Sequence, residues 1–274
     1  MAFWTCHALN LQQHGSGPRT LVMSHGFGAD QRVWQPYVDE LSRHFRVVTF
    51  DLACAASADP AFFNAVRHCE IDGYVADLLA LLDENGIERC SFVGHSVSGM
   101  IGLLASRKRP QLFERLVAIG SSACYLNFET YHGGFERADI NQIFLAIASD
   151  FHAWASFYAP HVVDRPTDDL ATRNFAASLT AMRPDIALVT AEMILLSDHR
   201  HRLQSIRVPT VLLQTHRDPA VPIEAAQYLN QQISGSVLEI VDATGHMPHM
   251  TAIPAVADAL RRHLHLADLA AVAP

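Results

Sequence analysis

The 274-residue chain carries little charge: only 18% of it is Asp, Glu, Lys or Arg, and 20 basic residues against 28 acidic ones leave a net charge of −8 with His neutral. A basic surface for phosphate backbones is therefore missing, and no nucleic-acid partner is expected. Cysteine is scarce and unpaired. Cys6, Cys54, Cys69, Cys90 and Cys124 form an odd set without a CxxC spacing, all in the first half of the chain, which argues for reduced thiols and against a disulfide framework. No stretch of about 18 uncharged apolar residues occurs, and the opening MAFWTCHALNLQQHG lacks a basic segment followed by an apolar one. Neither a membrane span nor a secretory leader is expected, and the expected location is cytoplasmic. Repeats and low-complexity tracts are also missing. What is abundant is hydrophobic content, 50% of the residues, and at this mass about 70–75% of the unfolded surface can be buried, enough for one large core.

Apolar runs at 20–24, 45–50, 90–93, 116–119, 210–214 and 237–241 read as buried strands. Segments 34–41, 71–82, 97–105, 223–232 and 255–264 lie between or after them with apolar residues at helical spacing. Such alternation, with near-continuous apolar strands, predicts an α/β fold with a mostly parallel central sheet flanked by helices. The alternation stops between 121 and 198, where helical stretches 140–148, 170–182 and 186–196 follow one another. The expected organisation is a single domain whose core comprises 1–120 and 199–274, with a helical insertion at 121–198. The Ala-rich segment 266–274 is expected to fray.

Gly94-His95-Ser96-Val97-Ser98-Gly99 stands where a strand gives way to a helix. That is the context of a nucleophile elbow, a sharp turn that exposes a serine hydroxyl and needs small flanking residues. Ser98 occupies the place of the last glycine of G-x-S-x-G and is small enough to keep the turn. Serine needs a base, and the base needs a partner that fixes its tautomer. In chain order Asp218 follows the 210–214 strand after a short turn, and His246 follows the 237–241 strand in Thr244-Gly245-His246-Met247-Pro248. Ser96, Asp218 and His246 are thus the candidate catalytic set. Asp242 reads as a solvated loop acid, too close to His246 along one connection. His249 is three residues beyond His246, but no third ligand at a matching spacing supports a metal, and Asp198-His199-Arg200-His201 reads as a charged turn. No metal and no cofactor are expected. An oxyanion hole needs two backbone N–H groups, and those of Val97 and, in the loop His25-Gly26-Phe27-Gly28, Phe27 are the candidates.

These segments resemble the plant strigolactone and karrikin receptor family of α/β-hydrolases and, less closely, the bacterial RsbQ stress regulators. The resemblance is carried by Ser24-His25-Gly26-Phe27-Gly28, Phe50-Asp51-Leu52, Gly94-His95-Ser96-Val97-Ser98, Tyr131-His132-Gly133-Gly134-Phe135-Glu136, Met182-Arg183-Pro184-Asp185-Ile186 and Gly245-His246-Met247-Pro248-His249. Ser98 favours the receptors, since the RsbQ type has Gly there. The resemblance implies an α/β-hydrolase fold with a four-helix lid over an apolar pocket. It further implies a slow serine hydrolase that binds a strigolactone, karrikin-type or related butenolide ligand and couples it to hormone signalling. Carried over by position, Phe27, Tyr125, Phe135, Ile143, Trp154, Tyr158, Leu195 and Ala220 line that pocket. Leu195 stands where a Phe is expected and Ala220 where a Ser is common, so the ligand preference is expected to differ. The family further implies a monomer, partnership of the lid with an F-box protein and a repressor protein, and a nuclear as well as cytoplasmic location. The alternatives are an RsbQ-like signalling hydrolase and a metabolic esterase without a signalling role.

Overall fold

The computed structural model of the protein describes residues 4–265, and the expected fraying of 266–274 falls outside them. Among the described residues, β1 (Gln12–His14), β2 (Arg19–Ser24), β3 (Phe45–Phe50), β4 (Cys90–His95), β5 (Phe113–Ile119), β6 (Thr210–Arg217) and β7 (Val237–Thr244) form one sheet in the order β1-β3-β2-β4-β5-β6-β7. Neighbours are parallel except β1 and β3. The helices are α1 (Trp4–Ala8), α2 (Gln35–Leu41), α3 (Ala65–His68), α4 (Ile71–Glu84), α5 (Val97–Lys108), α6 (Arg137–Ser149), α7 (Phe151–Val163), α8 (Leu170–Thr180), α9 (Pro184–Leu196), α10 (Ile223–Gln232), α11 (Pro248–Thr251) and α12 (Ile253–His263).

Successive strand residues point to opposite faces, so each central strand feeds two cores. Leu21, Met23, Val47, Val93 and Val117 pack with Tyr37 and Leu41 of α2 and with Val256 and Leu260 of α12. Val22, Val48, Phe92 and Leu116 pack on the other face with Leu78 and Leu82 of α4 and Ile101 and Leu104 of α5. Each such side chain contributes about 1.5–3 kcal/mol when fully buried. This double burial is why the strands read as continuous apolar runs. Four helices, α6 to α9, intervene between β5 and β6 and lie over the sheet's C-terminal edge.

The structure departs from the sequence expectations at several points. Strand β1 is added at the edge, three polar residues long and therefore without an apolar signature. Helix α7 joins the three stretches read from 121–198; its sequence FHAWASFYAPHVV is apolar on every side and contains Pro160, so it presents no stripe. Strand β6 continues to Arg217 through a register shift after Thr215, so Asp218 follows the strand directly and not after a turn. Asp242 is solvated as expected but lies within β7, and the segment 198–201, read as a charged turn, pairs Asp198 with Arg200 and runs into a 3-10 helix at Arg200–Ser205.

Candidate active site

Ser96 sits between β4 and α5 with φ 55° and ψ −123°. A serine held at positive φ is strained, and only the surrounding packing keeps it there. The turn is tight enough that a Cβ on Gly94 would lie 2.6 Å from the Gly99 nitrogen and the Ser98 carbonyl. Two hydroxyls brace the elbow. Ser121 Oγ donates to the Ser96 carbonyl at 2.8 Å, and Ser98 Oγ donates to the carbonyl of His25, which joins the start of α5 to the loop after β2. On that loop, His25 Nε2 accepts from the Leu52 N–H at 2.9 Å, which leaves Nδ1 to donate to the Gly26 carbonyl at 2.8 Å. The loop bearing Phe27 is thereby fixed beside the elbow. Val97 is the first residue of α5, so its N–H lies outside the helix ladder.

His246 Nε2 lies 2.9 Å from Ser96 Oγ, and its Nδ1 lies 2.8 Å from Asp218 Oδ2. An ionised carboxylate only accepts, so Nδ1 carries the proton and Nε2 offers its lone pair to the serine hydroxyl. Asp218 Oδ1 accepts from the N–H groups of Ala220 at 2.8 Å and Val221 at 3.0 Å, which orients the carboxylate. All three side chains are buried. This arrangement can take the proton from Ser96, hold it on an imidazolium and return it to a leaving group.

Above Ser96 lies a cavity of about 60 Å³ between the elbow and the lid helices. The eight pocket positions carried over by resemblance all line it, together with Ser96 and His246. Ala191, Ile194 and Met247 line it too and were missed. Ala191 stands four residues before Leu195 on α9, so helical spacing from that position was the available signal for it, whereas Ile194, the adjacent residue, had none. Besides Ser96, Tyr125 and Tyr158 are the lining residues with hydroxyls, and burial raises both phenols well above their ordinary range, so they stay neutral.

Behind the histidine, sequence reasoning missed His95, whose Nε2 donates to the His246 carbonyl at 2.8 Å. His249 packs with tilted rings against His95 at 4.2 Å and Trp34 at 5.0 Å between centroids. Its place is in a buried cluster of rings. Among the described residues no cluster of three or more His, Cys, Asp or Glu suited to a metal occurs.

Residues 21–259 match a family model described as "Alpha/beta hydrolase family". The chain is 42% identical to strigolactone esterase D14 of Arabidopsis thaliana, over 94% of this chain and 96% of that one. It is 41% identical, over the same shares, to karrikin insensitive 2 receptor CA of Petunia hybrida. A solved structure, that of a hydrolase from Oleispira antarctica, superposes with a TM-score of 0.90 at 29% identity, covering 94% of this chain and 95% of that one.

Proposed function

The chain belongs to the alpha/beta hydrolase family, and from that premise we propose that it is a receptor-type serine hydrolase that binds and slowly cleaves a strigolactone, karrikin-type or related butenolide ligand. The observation that carries this reading is the Ser96–His246–Asp218 hydrogen-bond chain opening onto a small apolar cavity, in a chain about 40% identical to an esterase and a receptor over nearly its full length.

Ser96 Oγ attacks the carbonyl or enol-ether carbon of the ligand while its proton passes to His246 Nε2. Asp218 holds the imidazolium that forms. The N–H groups of Phe27 and Val97 stabilise the oxygen that takes up negative charge. The imidazolium then protonates the leaving oxygen, and water, deprotonated by His246, releases the retained fragment from Ser96. The buried phenols of Tyr125 and Tyr158 are donors for a polar atom of the ligand in an otherwise apolar lining. Recruitment of an F-box protein and a repressor by the lid, action as a monomer, and a cytoplasmic and nuclear location complete the proposal.

Turnover of a fluorogenic butenolide ester tests it. Ser96→Ala is expected to lower kcat at least a thousandfold while the variant stays folded; undiminished turnover sinks the mechanism. A second reading, a metabolic esterase without signalling, is favoured by the close superposition on a bacterial hydrolase. Ligand-dependent binding of a protein partner separates the two.

A further inference from the structure

The peptide of His246 is a junction between lid and core. Its N–H donates to the carbonyl of Val162 at 2.8 Å, while its own carbonyl accepts from His95. Val162 lies in the last turn of α7, where carbonyls have no partner inside the helix. The residue four positions on is Pro166, which has no N–H to offer. This acceptor at the end of the lid helix therefore depends on a donor from outside, and that donor is the backbone of His246.

The flanking residues make the same joint. Gly245 has φ +84°, and a Cβ there would lie 2.3 Å from the Val163 carbonyl oxygen, so the lid backbone rests directly on it. Thr244 Oγ1 accepts from Arg165 Nη1 at 3.3 Å. Asp164, the left-handed residue that ends α7, pairs with Arg217 Nη2 at 2.8 Å, and the Arg217 carbonyl accepts from the Gly245 N–H at 2.8 Å. At the other end of α7, Trp154 and Tyr158 line the cavity, their rings stacked at 4.8 Å. Residues 154, 158 and 162 are spaced by four and share one helix face. One face of α7 thus carries both the cavity wall and the anchor of the histidine.

We propose that α7 is the positioning element of His246: it meets the ligand through Trp154 and Tyr158 and holds the catalytic imidazole in line through Val162, with Asp164, Arg217 and Gly245 as positioning residues. The proposal rests on the reading of Ser96 and His246 as nucleophile and base. A ligand that shifts α7 then shifts the imidazole, and a displacement of about 1 Å is enough to cost about a hundredfold in rate. Lid position and chemical competence are one variable.

The test uses Asp164→Asn, Arg217→Gln, the double variant, Arg217→Lys and Gly245→Ala in the full chain. Four quantities are measured: labelling of Ser96 by a fluorophosphonate probe, kcat and KM for 4-nitrophenyl acetate, and Tm. An exposed ion pair contributes little to folding, so Tm is expected to move by no more than about 2 °C in the charge variants. Their kcat and labelling rate are expected to fall about tenfold with KM within about twofold. The double variant loses no more than either single one, Arg217→Lys retains most of the rate, and Gly245→Ala falls further. Charge variants with wild-type kcat and labelling overturn the inference, as does a loss confined to Tm or KM; these arms decide it even if Gly245→Ala does not fold. Absence of Ser96 labelling in the wild type defeats the underlying reading instead.

Discussion

His249 has both ring nitrogens buried without a protein hydrogen-bond partner, so removing its polarity breaks no bond. Burial lowers its pKa from 6.5 to about 3; His95 is also held well below its ordinary value, first by burial and then by His249 and His246. Both rings stay neutral when His246 becomes an imidazolium, so no second positive charge forms beside it. The depressed values make stability depend on pH. Below about pH 6.5 the unfolded chain takes up protons that these buried rings refuse, so stability is fully present above that pH and is lost as pH falls toward 3. Each unit below the ordinary value is worth about 1.4 kcal/mol per histidine. His199, lowered to about 4 mainly by burial, acts in the same direction. His249→Phe keeps a ring packed against Trp34 and is expected to lose about 1 kcal/mol less than the wild type between pH 7.5 and 5.5, read from urea unfolding at the two values. Equal losses would show that His249 is protonated in the folded state.

At the scale of elements, the elbow depends on ties between segments distant in sequence. Ser98 is one such tie, because its hydroxyl joins the first turn of α5 to the loop after β2 that carries Phe27. Ser98→Ala removes a buried donor and leaves the His25 carbonyl short of a partner, at a cost of about 1–3 kcal/mol. It also frees the N–H groups of Phe27 and Val97, proposed above as oxyanion donors, to drift relative to one another. Chemical denaturation is expected to show the loss, and kcat to fall several-fold while KM holds; an unchanged kcat in a destabilised variant would leave the hydroxyl a purely structural role. These elements differ in how far they can be read from sequence. The buried strands and α4 declare themselves because double burial or an amphipathic stripe forces a pattern. Strand β1, the end of β6 and helix α7 do not, since an exposed edge, an exposed strand end and an all-round apolar helix impose no period. Ser96, Asp218 and His246 were legible from order and strand ends. His95 and Val162 were not, because one acts on, and the other through, backbone groups of His246 that are brought near only by the fold.

For the molecule as a whole, the lid and the sheet edge together decide what can react. The space between them is small, about 60 Å³, and is lined mainly by apolar side chains. With the lid in this position a small acyl or ring fragment fits beside Ser96, and a longer one competes for the space with side chains of α6, α7 and α9. Rates for a series of 4-nitrophenyl esters are therefore expected to fall with acyl length from acetate to hexanoate. Each misfitted methylene costs about 1–3 kcal/mol of transition-state binding, or roughly tenfold to two-hundredfold in kcat/KM. Leu195 is the position to vary, since it lines the cavity from α9 and takes no part in the α7 joint. Leu195→Ala enlarges the space, and its optimum is expected to move to longer acyl chains, whereas Leu195→Phe sharpens the preference for acetate. Crossing the three enzymes with the ester series yields a length-by-volume interaction if the cavity sets the limit. Parallel profiles would mean that the lid yields at little cost, and that selection among ligands happens before the ligand reaches Ser96.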